Sequence, residues 1–306
     1  MVLHSAEAFE ERVAPYRSEL FAHCYRMMGT VDQAEDALQE ALTRAWQGRH
    51  TFRRSISVGA WLYRIATNVC LNAIEVRRRD RVEAGPCPDE LLTGIASPDI
   101  GPDARYDAHE SVSLAFLTVL QVLPPRQRAV LLLRDVLTFR SAEVALLLDT
   151  SVQAVNSSLQ RARTTLRSIY TRSGHSPAID NARRTNPPLL ERYLRAWEAA
   201  DVAGLVSILR EDAVLSMPPK PMVIGATAIG EFLSQHIFAI GPMRLITASA
   251  NESPAFAAYV REALGQRYLT FALLVIEVDG DQITHIYAYS DPRVLVPFGL
   301  SKELAG

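Results

Sequence analysis

Two stretches that cannot build a core divide this chain, and they constrain its fold more than any other feature. Residues 83–110 carry Gly85, Pro86, Pro88, Gly94, Pro98, Gly101 and Pro102 within a mostly acidic run. Residues 174–188 run from Gly174-His175-Ser176-Pro177 to Asn186-Pro187-Pro188. Proline fixes φ and removes a donor, and glycine adds chain entropy, so neither stretch supports continuous helix or sheet. One core spanning all 306 residues is excluded. Three segments, 1–82, 111–173 and 189–306, are expected to fold and the two stretches to link them.

Composition narrows the class. The chain is 48% hydrophobic and 22% charged, which excludes wholesale disorder. Its longest strongly apolar run, residues 271–276, is far too short to span a bilayer. Residues 1–11 are acidic and lack an apolar centre, so no export signal and a cytoplasmic location are expected. Cys24, Cys70 and Cys87 lack metal-ligand spacing, which fits free thiols in a reducing compartment and predicts no metal site and no cofactor.

Charge is local rather than global. Of 32 basic residues only Lys220 and Lys302 are lysines. Residues 1–172 hold 21 arginines against 20 acids, yet the arginines cluster at Arg77, Arg78, Arg79 and Arg81 and again at Arg161, Arg163, Arg167 and Arg172. Basic clusters beside acidic stripes point to two partners, one polyanionic and one basic. A genomic bias toward arginine codons explains the ratio but not the clustering.

Residues 6–81 read as helices. Phe9, Val13, Leu20, Cys24 and Met28 recur at helical spacing. Gly29-Thr30 then breaks the pattern, and Asp32 with Glu35 three residues on reads as an N-cap signature. The following helix has a narrow apolar stripe of Ala34, Leu38, Ala41 and Ala45, with Asp32, Asp36, Gln39 and Glu40 on the other side. Asp36 and Glu40 repel at i, i+4 spacing, and Glu40 lies beyond the first turn that the helix dipole favours for acids, so a basic protein partner is the sharper reading. Residues 50–57 form a polar loop. A third helix over 58–79 turns Val58, Leu62, Ile65, Val69 and Val76 inward, leaving Arg64, Asn68, Asn72 and Glu75 on one face with Trp61 and Tyr63 at its start. Aromatics, amides and arginines together suit melted nucleic acid; a core tryptophan and a basic helix end favoured by the dipole give the same pattern.

The sharpest local pattern is residues 138–167. Ser141 is placed to cap a short helix bearing Val144, Ala145 and Leu148; Asp149-Thr150 turns the chain; Ser151 caps a second helix with Val155, Leu159, Ala162 and Leu166 at i, i+4, i+7, i+11. Gln153, Asn156, Ser157, Gln160, Arg161 and Arg163 lie off that stripe. This is a helix-turn-helix whose amides suit base edges and whose arginines suit phosphates. An ordinary amphipathic helical hairpin is the competing reading.

From residue 189 the pattern changes to two helices up to about 209, a short strand over 213–217, a helix after Gly225, and then strands. The best pair, 267–278 and 282–289, is joined through Asp279-Gly280-Asp281. Helices followed by an antiparallel meander predict an α+β layer.

These segments together resemble bacterial extracytoplasmic-function (ECF) sigma factors. Residues 29–40 (GTVDQAEDALQE) with Arg44-Ala45-Trp46 look like the polymerase-binding part of region two, and residues 61–68 (WLYRIATN) like the adjoining promoter-melting helix. Residues 123–128 (LPPRQR) and 151–157 (SVQAVNS) resemble region four. The resemblance implies that Asp32, Asp36, Gln39 and Glu40 contact the coiled coil of the largest subunit of the RNA polymerase core. It implies that the loop with Arg53 and Arg54, together with Trp61, Arg64, Asn68 and Arg78, meets the minus-ten element, and that Gln153, Asn156, Ser157, Gln160, Arg161 and Arg163 meet the minus-thirty-five element.

Residues 189–300 resemble a SnoaL-like domain of the cone-shaped nuclear-transport-factor type, through residues 193–201 (YLRAWEAAD) and 209–213 (LREDA). A sigma factor fused to such a domain is a known subgroup, similar here through Met217-Pro218-Pro219 and Asp291-Pro292. Within it, residues 85–92 (GPCPDELL) look like an altered linker motif. Such a fold implies a pocket for which Trp197, Met217, His236, His285 and Tyr287 are the candidates, with a small ligand as a candidate partner. Cyclase chemistry would need an acid–base pair, for which Asp212, His236 and His285 are candidates by type alone. The expectation is a sigma factor with no catalytic residues, regulated in cis by its C-terminal domain. The alternatives are a ligand-responsive helix-turn-helix regulator acting without polymerase, and an enzyme fused to a DNA-binding module.

Overall fold

A computed structural model describes residues 5–52, 57–77, 84–93, 112–173, 186–262 and 267–305. The chain forms two compact units, Met1–Gly85 with Glu90–Ala178, and Pro86–Asp89 with Ile179–Gly306.

The first unit is helical. α1 (Ala6–Val13) leads through a short turn into α2 (Arg17–Met28), followed by α3 (Val31–Gly48) and α4 (Val58–Val76). Gly29 ends α2 at φ +93, a conformation open to glycine. A Cβ there would lie 2.9 Å from Gln121 Cδ, so any larger residue would also have to displace the end of that side chain. α3 starts two residues earlier than the N-cap signature predicts: Thr30 holds the cap position and Asp32 lies in the first turn, where the dipole still favours it. The inner stripe of α4 ends before Val76, which is exposed, while Leu62 and Val69 are buried. Ser57 caps α4 through the Ala60 N–H.

The α2–α4 contact carries a polar seam. Tyr63 donates to Glu19 at 3.2 Å, and His23 Nε2 lies 2.9 Å from Thr67 Oγ1. Arg26 and His23 are buried in it, and burial lowers the His23 pKa to about 3, with Arg26 adding to the shift.

α5 (Leu114–Val122), α6 (Pro125–Leu131) with a π turn at Leu132–Val136, α7 (Ser141–Leu147) and α8 (Val152–Ser173) complete the unit. Arg140, not Ser141, holds the N-cap of α7, with Glu143 bonding back to its backbone N–H at 2.6 Å. Asp149 turns the chain at φ +49 and Ser151 caps α8 through the Ala154 N–H. Val155, Leu159, Ala162 and Leu166 are buried, as their spacing predicts.

The C-terminal unit is an α+β layer, the arrangement expected of a SnoaL-like domain. α9 (Pro187–Glu198), α10 (Val202–Ile208) and α11 (Ala226–Phe232) accompany β1 (Leu209–Ser216), β2 (Val223–Ile224), β3 (Met243–Ala250), β4 (Ser253–Arg261), β5 (Arg267–Asp279), β6 (Gln282–Tyr289) and β7 (Glu303–Ala305). The strand order is β2-β1-β6-β5-β4-β3, with β7 pairing β5; β1 and β6 are parallel and the other pairs antiparallel. β1 begins at Leu209, four residues before the expected strand, because α10 ends directly against it. The β5–β6 hairpin turns at Gly280, φ +62, as its sequence predicts. Leu215, Leu274, Ile276 and Ile286 from one sheet face pack with Tyr193, Trp197, Leu205, Ile229 and Leu233 into the core.

Candidate functional site

On α3 the alanine stripe Ala34, Ala37, Ala41 and Ala45 is buried, and this places Asp32, Glu35, Asp36, Gln39 and Glu40 in solvent on the opposite side. Arg44 bonds Glu40 at 2.6 Å one turn on, an exposed pair of small energetic weight. The result is a rigid, net acidic ridge.

On α4, Arg64, Asn68, Asn72 and Glu75 are all exposed along one face. Trp61 is buried instead, its ring 5.3 Å from Phe52, and so shapes the start of the helix from within. Arg53, Arg54 and Arg78 lie outside the described residues.

On α8, Gln153, Asn156, Gln160 and Arg161 are exposed and Ser157 is half-buried. Ser141 donates to Asn156 Oδ1 at 2.8 Å, fixing the amide relative to α7. Arg163 differs from its neighbours. It bonds Asp135 through Nε and Nη2, at 2.8 and 2.5 Å, and the Asp135 side chain is only 3% exposed. Paired in that way, Arg163 joins α8 to the π turn, while Gln153, Gln160 and Arg161 keep their polar ends outward.

Three contacts absent from the sequence reading join the region with α2–α4 to the region with α5–α8. Gln121 donates to the Arg26 carbonyl at 3.5 Å. Arg128, almost fully buried, donates to the Met27 carbonyl and to Gln121 Oε1, and bonds the Gln121 and Leu123 carbonyls at 3.1 and 3.3 Å. Its guanidinium thus covers the Met27 carbonyl, one of those that the end of α2 leaves without helical partners. Burial lowers its pKa only to about 10, so it is cationic at neutral pH. Finally, Phe139 packs edge-on against Tyr63 of α4, with centroids 5.6 Å apart. Thr138, at φ +57, delivers that ring.

The linker motif is divided between the units. Tyr25 donates to the Gly85 carbonyl at 2.6 Å, and the Gly85 N–H donates to the Gly29 carbonyl at 2.8 Å. Two residues later the chain joins the β3–β4 turn. The Cys87 N–H donates to Asn251 Oδ1, Pro88 bridges Ala250, and Asp89 accepts from the Glu252 N–H at 2.7 Å. Asn251 and Glu252 both have positive φ, +55 and +58, which a two-residue hairpin turn demands.

The C-terminal unit holds a cavity of about 100 Å³. Trp197 and Met217 line it with Phe232, Phe271, Leu274 and Ile286. His236, His285 and Tyr287 do not. His285 and Tyr287 alternate with the inward Ile286 and Ala288, so they lie on the opposite sheet face, stacked at 3.9 Å, with His285 Nε2 2.8 Å from Ser216 Oγ. His236 is exposed and stacks on Phe232. Asp212 is exposed and paired with Arg210. Among the described residues no acid and no histidine lines the cavity, so the residues named for proton transfer are not assembled there. Lys220 and Ser290, at its polar edge, carried no signal in the sequence beyond the rarity of lysine.

Among the described residues, no helix is long and apolar enough to cross a membrane, and no cluster of metal-ligating side chains occurs.

Residues 13–82 match the Sigma-70 region 2 family and residues 113–166 the Sigma-70 region 4 family. The ECF RNA polymerase sigma factor SigG of Mycobacterium tuberculosis is 41% identical over 320 residues, which cover 97% of this chain and 85% of the relative. SigW of Bacillus subtilis is 31% identical over 166 residues, covering 53% of this chain and 88% of SigW. The crystal structure of Mycobacterium tuberculosis SigJ shares the fold, with a TM-score of 0.64 over 94% of this chain and 98% of that one at 22% identity. Ordered region-two and region-four helices, and a relative of this identity that runs into the C-terminal unit, establish that the chain belongs to the ECF RNA polymerase sigma factors.

Proposed function

We propose that this sigma factor binds the polymerase core through the acidic ridge of α3, reads the minus-ten element with the exposed face of α4 and the loop before it, and reads the minus-thirty-five element with α8. The observation that carries this is the segregation of three chemistries onto three rigid helices: carboxylates on α3, amides with arginine on α4, and amides with arginine on α8. Asp36 and Glu40 suit a basic coiled coil. Arg64 and Asn68 suit a melted strand. Gln153, Asn156 and Gln160 suit base edges, and Arg161 a phosphate. Arg163 acts through Asp135, as a positioning residue. Such work is done on the chromosome, in the cytoplasm, and asks no catalysis of the chain.

The C-terminal unit regulates in cis. Support comes from the segment joining the two DNA-reading regions, which is pinned at Gly85 to the α2–α3 turn and at Cys87–Asp89 to the β3–β4 turn. Holding that segment sets how far the two regions can separate on a promoter. The contacts of Gln121, Arg128 and Phe139 describe a closed arrangement that must open for both elements to be read together. A small ligand in the C-terminal cavity is the candidate signal.

Run-off transcription with core polymerase tests the reading. Reversing charge at Asp36 and Glu40 to Lys should lower core affinity and transcription together by tenfold or more, since close interfacial charge pairs couple by about 1.5 kcal/mol or more. Transcription that survives the double reversal would sink the α3 assignment. Sequence-specific duplex binding of the same strength with and without core would favour the polymerase-independent regulator.

A further inference from the structure

We propose that the cavity of the C-terminal unit binds a short-chain aliphatic monocarboxylate, its alkyl tail inside and its carboxylate at the rim beside Lys220. This deepens the ligand-sensing reading above by naming the ligand's chemistry.

The interior is made by Trp197, Leu215, Phe232, Phe271, Leu274 and Ile286, which offer a guest almost nothing but carbon. Apolar cavities of this kind stay dry and take apolar guests; one of about 150 Å³ accepts benzene. At about 100 Å³ the space suits a tail of about four or five carbons and excludes a sterol or a polyketide ring system.

The rim decides the head group. Among the described residues Lys220 is the one charged residue lining the cavity, and it is one of two lysines in the chain. Its backbone N–H donates to the Met217 carbonyl at 2.8 Å, and Pro219 and Pro221 flank it, so the backbone that carries Lys220 is held in a fixed turn. No ion pair among the described residues engages it, and Ser290 adds a hydroxyl to the same wall. One cation and one hydroxyl match one carboxylate. A cationic amphiphile would be repelled, and a dianion would bring a second charge to a rim with one counter-charge. Deeper in, neither the Trp197 indole N–H nor the neighbouring Tyr193 hydroxyl makes a hydrogen bond of normal geometry, although each feels the other.

Titration calorimetry on the full-length protein with hexanoate, hexanol and hexylammonium tests this. Hexanoate should bind at one saturable site, with hexanol at least tenfold weaker and hexylammonium silent. Lys220→Gln, a surface change that leaves the core intact, should weaken hexanoate about tenfold and leave hexanol unchanged. Absence of saturable hexanoate binding overturns the proposal, as does equal affinity for hexanoate and hexanol. Hexanoate binding insensitive to Lys220→Gln overturns the rim assignment. Run-off transcription on the same samples separates the two readings: binding with unaltered transcription keeps the site and removes its sensing role, whereas absence of binding removes the site whatever transcription does.

Discussion

Cys87 and Asn251 hold each other reciprocally: the Cys87 N–H donates to Asn251 Oδ1 at 2.8 Å, and the Asn251 N–H donates to the Cys87 carbonyl at 3.0 Å. Both residues are buried, so each bond replaces one that water would otherwise make. Asparagine also tolerates the positive φ of this turn better than other residues with a side chain. Asn251→Ala should therefore lose the side-chain bond and strain the turn together, costing about 2–3 kcal/mol at this contact. Asn251→Gly should cost less, because it relieves the backbone. Hydrogen exchange over residues 86–89 is the readout, with faster exchange expected in the order wild type, Gly, Ala. Equal exchange in all three would show that the contact does not hold the linker.

The packing of Phe139 on Tyr63 makes a second prediction. An edge-on aromatic pair contributes about 0.5–1.5 kcal/mol beyond its buried area. Phe139→Ala combined with Gln121→Ala should shift the first unit toward an open arrangement; Gln121→Ala also removes the Oε1 acceptor of Arg128, while its bonds to the carbonyls of residues 121 and 123 stay in place. Energy transfer between dyes on the exposed faces of α3 and α8 should report a longer mean distance, and binding to a minus-thirty-five duplex should tighten. An unchanged distance would mean that these contacts do not keep the two regions closed.

Arg163 and Asp135 are expected to behave as a structural pair. Arg163→Met leaves a carboxylate buried without its cation and should destabilise the first unit by about 3 kcal/mol. Asp135→Leu with Arg163→Met should recover most of that loss, since two apolar groups leave no charge uncompensated. Denaturant unfolding of Arg163→Met, Asp135→Leu and the double variant measures the coupling. Additive losses would return Arg163 to the group of freely exposed DNA-facing residues.

Acid should weaken region two through His23. Its pKa falls to about 3 in the folded protein against an ordinary value of 6.5, so between those limits the unfolded chain binds the additional proton. Stability then rises with pH in that window, and acidification below about pH 6.5 should remove about 1.4 kcal/mol per unit. Urea midpoints between pH 7 and 5 should show this slope, and His23→Gln should flatten it. A wild-type slope equal to that of His23→Gln would exclude the histidine as its source.

Much of the architecture was legible in the residues. Alanine at i, i+4 spacing fixed which side of α3 carries acids, because only small side chains let helices approach closely there. Val155, Leu159, Ala162 and Leu166 fixed the inward face of α8. Gly280 marked the β5–β6 hairpin. Caps were read less well: Thr30 and Arg140 took positions assigned to Asp32 and Ser141, since a cap is chosen by where packing starts the helix as much as by side-chain type.

What the sequence determined by itself is what local chemistry determines: the period of each segment, the breaks made by glycine and proline, and the chemical character of each exposed face. Which side chains meet across those breaks was decided only in three dimensions. Arg163 reads as a phosphate contact until Asp135, 28 residues away, is found beside it. His285 and Tyr287 read as pocket residues until the pleat turns them to the other face of the sheet, where a shift of one residue reverses every side chain. Arg128 reads as part of the region-four motif until the carbonyl of Met27, 101 residues away, accepts its hydrogen bond. Periodicity is a property of neighbours along the chain, whereas partners depend on how whole elements pack, and no local pattern encodes that.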